Sequence, residues 1–216
     1  MARSSARCAG ARRHRADPPS RRRGSAPPTW RNVSGRRSRQ LLRLLAHTTA
    51  VRRFLAALAR QARSVGWEVA QLDPPHRASR YFRDQGAVHS VHPDAFAVLR
   101  RDGERWPSFL EWERRAVRPS TMAARIAPYL RYYGSQRPAD DHGLRPVVLI
   151  VFEDELAAHH FLGVARGEMH SAGVELPLWA SHRRLLEREG PLGQAWTAPD
   201  AAGAIWLPAR AAEARA

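Results

Sequence analysis

The spacing of apolar residues predicts a chain that begins with a helix and continues as alternating strands and helices. Between residues 38 and 65, apolar side chains recur every three to four positions, as on one face of a helix. Residues 49–61 show this pattern most clearly, and a break near residues 47–49 is an alternative to one continuous helix. The alternation over residues 67–72 predicts a first strand, which ends at Asp73 and two prolines.

A polar stretch up to about residue 92 is expected to be a loop, and a hairpin and a helix follow it. Ala95–Leu99 and Ser108–Trp112 have the composition of two strands, and Arg101-Asp-Gly between them is typical of a tight turn. Thr121–Tyr133 is predicted to be helical, because its apolar residues share one side, namely Met122, Ile126, Tyr129, Leu130 and Tyr133.

The second half of the chain predicts an interior strand between helices. Val147–Phe152 is an unbroken apolar run, which favours a strand covered on both faces. A helix is expected over residues 153–170, a short strand over 176–180 and a short helix over 182–189. Residues 204–207 are expected to form a last edge strand. This order of elements predicts an α/β protein.

The positive charge is concentrated at the N-terminus. The formal net charge is +16, but residues 1–40 hold twelve arginines and one acid, so residues 41–216 carry only +5. Residues 1–37 contain almost no large apolar side chains, which predicts a disordered tail before a domain at 38–208 and a frayed end at 209–216. The tail is either an electrostatic tether to phosphates or an unselected extension.

Composition excludes several classes of site. All 36 basic residues are arginine, so no lysine is present to serve in catalysis. Cys8, the single cysteine, lies in the tail, which excludes a disulfide framework or a thiolate zinc site in the core. The longest apolar run has the six residues Val147–Phe152, too few to cross a bilayer. A cytoplasmic location without membrane partners is therefore expected, with a transit peptide as the alternative.

The residues best suited to catalysis or metal binding lie in the predicted hairpin. Asp94 precedes its first strand, and Glu111 and Glu113 share one face of the second, with Trp112 on the other. Acidic side chains inside an otherwise apolar strand are costly to bury unless they have charged or hydrogen-bonding partners. Carboxylates that meet at strand ends suit Mg²⁺, which can bind a phosphodiester and activate water. The alternative is a turn aspartate and edge glutamates paired with nearby arginines, Arg114 and Arg115.

Residues 47–165 resemble the replication-relaxation family of plasmid and mobile-element proteins. The matching positions are His47, Pro93-Asp-Ala, Glu111 with Glu113, Arg125 with Tyr129, and Val147–Phe152. The order of elements is also similar to the PD-(D/E)xK nuclease core. The resemblance therefore implies a restriction-endonuclease-like mixed sheet flanked by helices.

The nuclease resemblance implies that Asp94 and Glu111 bind Mg²⁺, while Glu113 stands where a lysine would orient the attacking water. Asp94, Glu111 and Glu113 would form the catalytic pocket, impaired by the missing lysine. Arginines would face DNA phosphates at its rim, namely Arg114, Arg115, Arg118 and Arg125.

The function expected is that of a DNA-associated accessory protein of plasmid or mobile-element replication or mobilisation. DNA and other replication or mobilisation proteins are its expected partners. An active Mg²⁺-dependent endonuclease and a protein-interaction module without a nucleic-acid role are the alternatives.

Overall fold

A five-stranded mixed sheet with helices on both faces forms the body of the protein. The computed structural model describes residues 35–113 and 118–200 and the backbone of residues 205–206. In chain order, its elements are α1 (Gly35–Ser64), β1 (Glu68–Asp73), α2 (Pro75–Ala78), β2 (Arg80–Asp84), β3 (Ala87–Val91), β4 (Ala95–Arg101), β5 (Glu104–Glu113), α3 (Pro119–Tyr133), α4 (Arg137–His142), β6 (Val147–Phe152), α5 (Glu155–Ala172), β7 (Leu178–His182), α6 (Arg183–Glu189), β8 (Gln194–Trp196) and β9 (Ile205–Trp206).

The strands of the main sheet lie in the order β1-β4-β5-β6-β7. The β1–β4 and β4–β5 pairs are antiparallel, whereas β5–β6 and β6–β7 are parallel. Helices connect the parallel strands, as such crossovers require. The predicted α/β class with a mixed sheet flanked by helices is therefore confirmed.

The β4–β5 hairpin sets the register on which the site depends. Asp102 and Gly103 at its turn both have positive φ angles, 51° and 81°. Such angles give the turn a twist that matches the flanking strands, and glycine and aspartate tolerate them. The hairpin predicted from Arg101-Asp-Gly is confirmed, and its pairing places Ala95 opposite Leu110.

Two apolar layers enclose the sheet. On one face, α3 and α5 pack against the sheet in a cluster that includes Phe109 of β5 and Phe161 of α5. On the other face, α1 and residues near α6 pack over a second cluster that contains Phe54, Trp112 and Trp196. All six residues of β6 are buried, which confirms the prediction of an interior strand.

The structure corrects two predictions for the first half of the chain. The helix α1 runs without a break through residues 47–49 and begins at Gly35, inside the segment expected to be a tail. The stretch before residue 92 is not a loop, because it contains α2 and the β2–β3 hairpin. Its polar residues obscured the strands, since only Phe82 and Val91 of that hairpin are buried.

The remaining boundaries lie close to the predicted ones or outside the described residues. The predicted strand at 204–207 corresponds to β9, whose backbone pairs with β8. Residues 1–34 and 207–216, which hold most of the expected tail and the expected frayed end, lie outside the described residues. Among the helices of the described ranges, none has the length and apolar character to cross a membrane.

His142 at the end of α4 links folding to pH. Its ring stacks on Phe96 with centroids 4.8 Å apart, and its buried Nε2 has no hydrogen-bond partner among the described residues. Burial, with the nearby Arg80 guanidinium, lowers the pKa of His142 to about 4. Between that value and the ordinary pKa of about 6.5, the unfolded chain binds a proton that the folded chain excludes.

We therefore expect His142→Phe to reduce the loss of stability on acidification. As pH falls from about 6.5 to about 4, the free energy of unfolding of the unmodified protein should fall more than that of the variant, by about 1–2 kcal/mol for this half-buried ring. Urea unfolding at several pH values measures this difference. His76→Phe, which alters an exposed histidine, should follow the unmodified protein. Parallel profiles for His142→Phe and the unmodified protein would contradict the prediction.

Candidate active site

Asp94 lies where β4 begins beside the end of β5, and three contacts fix it there. Its backbone N–H donates to the Leu110 carbonyl at 2.8 Å, which continues the hairpin pairing. Its Oδ2 accepts from the Trp112 backbone N–H at 2.8 Å. Its Oδ1 lies 2.9 Å from Nε2 of His47, which α1 supplies from the opposite side. Both carboxylate oxygens are thus engaged, and the His47 ring remains partly open to solvent.

Arg125 of α3 bridges the two glutamates of β5. Its Nη1 donates to Oε2 of Glu111 at 3.2 Å, and its Nη2 donates to Oε2 of Glu113. The prediction that Glu111 and Glu113 share a face is confirmed, while Trp112 lies in the opposite core layer. The guanidinium side chain is 44% exposed, although the carboxylates it joins are largely buried.

Glu111 is the most deeply buried acid of the cluster. It is 5% exposed, and its Oε1 accepts from the Tyr129 hydroxyl at 2.8 Å. Burial raises the pKa of Glu111 to about 7, and the nearby Asp94 carboxylate adds to the rise. Arg125 and Tyr129 oppose the rise without cancelling it. The carboxyl group therefore titrates near neutrality, in the range useful for proton transfer.

Local sequence periodicity explains how the cluster assembles. Alternation along β5 sends Leu110 and Trp112 to the α1 side and leaves the glutamates on the α3 side. Arg125 and Tyr129 are four residues apart on α3, so they project from neighbouring turns of the same helix face. Burial raises the pKa of the Tyr129 hydroxyl well above its ordinary value, and this keeps the hydroxyl a hydrogen-bond donor to Glu111.

The structure brings together four of the predicted site residues: Asp94, Glu111, Glu113 and Arg125. Arg118 lies exposed immediately before α3, away from the hydrogen bonds that join Glu111, Glu113 and Arg125. Arg114 and Arg115 lie outside the described residues.

Sequence reasoning did not assign His47 or Tyr129 to the site, although the family resemblance included both. His47 is 47 positions from its partner in the chain, so no spacing rule connects them. The interval of four residues between Arg125 and Tyr129 was the available signal for Tyr129.

The donor set determines what cation the cluster would suit. Within 35–113 and 118–200, no group of three or more histidine, cysteine, aspartate or glutamate side chains is placed to hold a metal ion. Mg²⁺ is commonly bound through one or two carboxylates, with water and substrate phosphate as its other ligands. The neighbouring carboxylates of Asp94 and Glu111 fit that limited role, and a bound cation would relieve the repulsion between them.

The buried carboxyl predicts a characteristic pH dependence of stability. Because the folded pKa of Glu111, about 7, exceeds the unfolded value of 4.5, stability falls as pH rises between them. Glu111→Gln keeps an acceptor for Tyr129 but cannot ionise. Relative to the unmodified protein, its free energy of unfolding should therefore rise by roughly 2 kcal/mol from pH 5 to pH 8.

Denaturant unfolding in EDTA at several pH values measures this gain independently of divalent cations. Glu68→Gln, at an exposed carboxylate that pairs with Arg100, is the matched control and should show no comparable trend. A constant difference between Glu111→Gln and the unmodified protein from pH 5 to pH 8 would show that Glu111 does not titrate in this window.

Comparison with known proteins identifies the family. The family model for replication-relaxation proteins matches residues 7–148, which include α1, the β4–β5 hairpin and α3, and therefore the whole cluster. No curated protein and no solved structure matches the chain. Because the match spans more than half of the chain and contains every residue of the cluster, the chain belongs to the replication-relaxation family and has a replication-related role.

Proposed function

We propose that this protein acts on DNA as an accessory factor of plasmid or mobile-element replication or mobilisation. Its cluster would be a nuclease-type site in which hydrolysis is impaired. The observation that carries this proposal is the Arg125 bridge between Glu111 and Glu113 beside the Asp94–His47 pair. This arrangement supports the proposal, because a guanidinium can bind a phosphate and neighbouring carboxylates can bind a metal ion that acts on a phosphodiester.

The order of elements supports the nuclease-type interpretation. With the α2–β3 insertion and the short helix α4 set aside, the remaining elements up to β6 have the order helix, three strands, helix and strand, like the PD-(D/E)xK core; they are α1, β1, β4, β5, α3 and β6. In that core an acid before one strand and an acid in the next bind the metal, and the proposal assigns these roles to Asp94 and Glu111. The fold permits a comparison with nucleases, but a function has to be argued from the side chains of the site.

Each residue of the cluster would have its own role in the proposed site. Asp94 and Glu111 would hold Mg²⁺, which supplies polarisation of a phosphate and a more acidic bound water. Arg125, with its partly exposed guanidinium, would bind a phosphate oxygen while it orients both glutamates. His47 is partly exposed, and its Nε2 would hold the Asp94 carboxylate in place through their contact.

Glu113 is the reason to expect an impaired site. It stands where the nuclease motif carries lysine, and its carboxylate is bound to Arg125. A carboxylate cannot supply the positive charge that stabilises a developing hydroxide. The chain contains no lysine that could approach from elsewhere, and arginine holds its proton too strongly to replace it freely. The protein would therefore bind DNA in the cytoplasm, together with other replication or mobilisation proteins, without efficient cleavage.

Arg125→Ala should weaken DNA binding and reduce its salt dependence. Loss of one phosphate contact lowers the slope of log affinity against log salt by about 0.9 for duplex DNA. Fluorescence anisotropy with a labelled duplex at several salt concentrations measures the slope. Arg137→Ala is a matched control, because that guanidinium is also 44% exposed but pairs with Asp141 on α4. An unchanged slope in Arg125→Ala, with native circular dichroism, would exclude Arg125 from the phosphate-binding surface.

Glu113→Lys should introduce metal-dependent nicking of supercoiled DNA. The substitution places an amine two residues after Glu111, which is the arrangement of the active motif. Conversion of supercoiled to open-circular plasmid by the full chain, with Mg²⁺, Mn²⁺ or EDTA, measures the activity. Glu113→Gln removes the same carboxylate without the amine and should remain inactive. Asp94→Asn in the lysine background should abolish the nicking.

Binding and nicking assays on the unmodified protein distinguish the impaired site from an active endonuclease and from a protein-interaction module. Binding without nicking supports the impaired site. Metal-dependent nicking that Asp94→Asn abolishes would instead establish an active endonuclease. Absence of both binding and nicking by the full chain would favour a protein-interaction module.

A further inference from the structure

The outer side of α1 carries a stripe of arginines. Four arginines in the second half of this helix are exposed, and they form the arginine stripe: Arg52, Arg53, Arg60 and Arg63. Because successive helix residues are turned by about 100°, all four side chains leave the helix within an arc of about 100°. This arc lies opposite Leu58, which is buried in the core layer beneath α1. At a rise of about 1.5 Å per residue, the stripe is about 16 Å long.

The arginine stripe has no acidic partner within the protein. Residues 35–67 contain no aspartate or glutamate. Across the part of the chain that the structure describes, none of the four side chains forms an ion pair or a side-chain hydrogen bond. Glu187 and Glu189 of α6 line the groove that Arg53 and Arg60 also line, but they pair with arginines of α6 itself. The charge of the stripe therefore remains unbalanced.

The segments outside the described residues cannot balance this charge. Residues 1–34, 114–117 and 201–216 hold two acids, Asp17 and Glu213, against thirteen arginines. These segments are themselves strongly basic. The counter-charge of the stripe therefore comes from ions in solution or from a binding partner.

The side chains between the arginines show what kind of partner fits. Within residues 49–63, the same arc contains only two other side chains, Thr49 and Ala56, and both are small. A helix that binds a lipid surface or an apolar groove presents bulky apolar side chains. The exposed leucines of α1 all precede the stripe, at Leu41, Leu42, Leu44 and Leu45. The stripe thus offers positive charge without apolar bulk, which suits a hydrophilic polyanion.

We propose that the arginine stripe binds the phosphate backbone of DNA. The choice of DNA among polyanions rests on the proposed function, which itself follows from the replication-related role of the family. Guanidinium groups form charge-assisted hydrogen bonds with phosphate oxygens. Phosphates of one strand recur about every 3.4 Å along a duplex, so the stripe spans roughly five of them. Contacts of this kind position DNA without reading its sequence.

The stripe is a second DNA surface, separate from the carboxylate cluster. The helices α1 and α3 cover opposite faces of the sheet, so the stripe and Arg125 lie on different sides of the molecule. Neither surface shares a hydrogen-bond partner with the other. Their contributions to DNA affinity should therefore add.

DNA binding by the full chain at several salt concentrations tests the proposal. Fluorescence anisotropy with a labelled duplex gives the slope of log affinity against log salt. Each lost phosphate contact lowers this slope by about 0.9, so alanine at all four positions of the stripe should lower it by about 3. Lysine at the same positions keeps the charge and should largely preserve the slope. Native circular dichroism of each variant verifies the fold.

A control variant removes the same charge from scattered positions. Its four alanines replace exposed arginines on four different elements: Arg77, Arg83, Arg131 and Arg184. It should lower the slope by no more than about 0.9, the equivalent of one contact. The N-terminal arginines are present in all of these proteins, so their contribution cancels in the comparison.

Equal changes of slope in the stripe and control variants would overturn the proposal, because total charge would then decide binding. Co-sedimentation with phosphatidylglycerol vesicles that the stripe variant loses, with its DNA slope unchanged, would assign the stripe to an anionic lipid surface instead. A lower slope in Arg125→Ala but not in the stripe variant would remove the stripe alone. The reverse result would support the stripe and contradict the phosphate-binding role of Arg125. Absence of duplex binding by the unmodified protein at low salt would overturn both.

Discussion

The buried carboxylate of Glu111 is the constraint around which this end of the molecule is organised. A charged group removed from water costs several kcal/mol unless partners replace its hydration. Arg125 and Tyr129 supply those partners from one helix, and Glu113 shares the same guanidinium. The position of α3 against the sheet is therefore fixed by polar contacts as well as by its apolar face. Burial still raises the pKa of Glu111, so part of the cost of burying its charge remains in the folded state.

A buried carboxylate whose burial remains energetically costly in the folded state is characteristic of functional sites. An apolar residue at the position of Glu111 would pack against α3 without any of these partners. The cluster instead assembles one arginine, one histidine and three carboxylates at the junction of the antiparallel and parallel parts of the sheet. Perturbed titration in such a mixed-charge cluster is a physical indication of a functional site. The family match over residues 7–148 covers all of these residues.

The two halves of α1 have different roles. From Val51 onward the helix packs in the core layer beneath β4 and β5. Before that point its leucines are exposed, and the His47 ring contacts the Asp94 carboxylate at the start of β4. His47 lies between the packed and the exposed halves of the helix. The site and the exposed leucines are therefore adjacent along one helix.

The sequence by itself determined the elements whose patterns are local. Periodicity and turn chemistry predicted three features that the structure confirms. They are the buried strand β6, the hairpin turn at Asp102-Gly103, and the shared face of Glu111 and Glu113. The hairpin β2–β3 was missed because its polar side chains carry little apolar alternation. Only the tertiary structure decided that His47 meets Asp94 and that Arg125 joins both glutamates. These contacts link side chains from elements far apart in the chain, and the packing of helices on the sheet, which no local pattern encodes, brings them within hydrogen-bond distance.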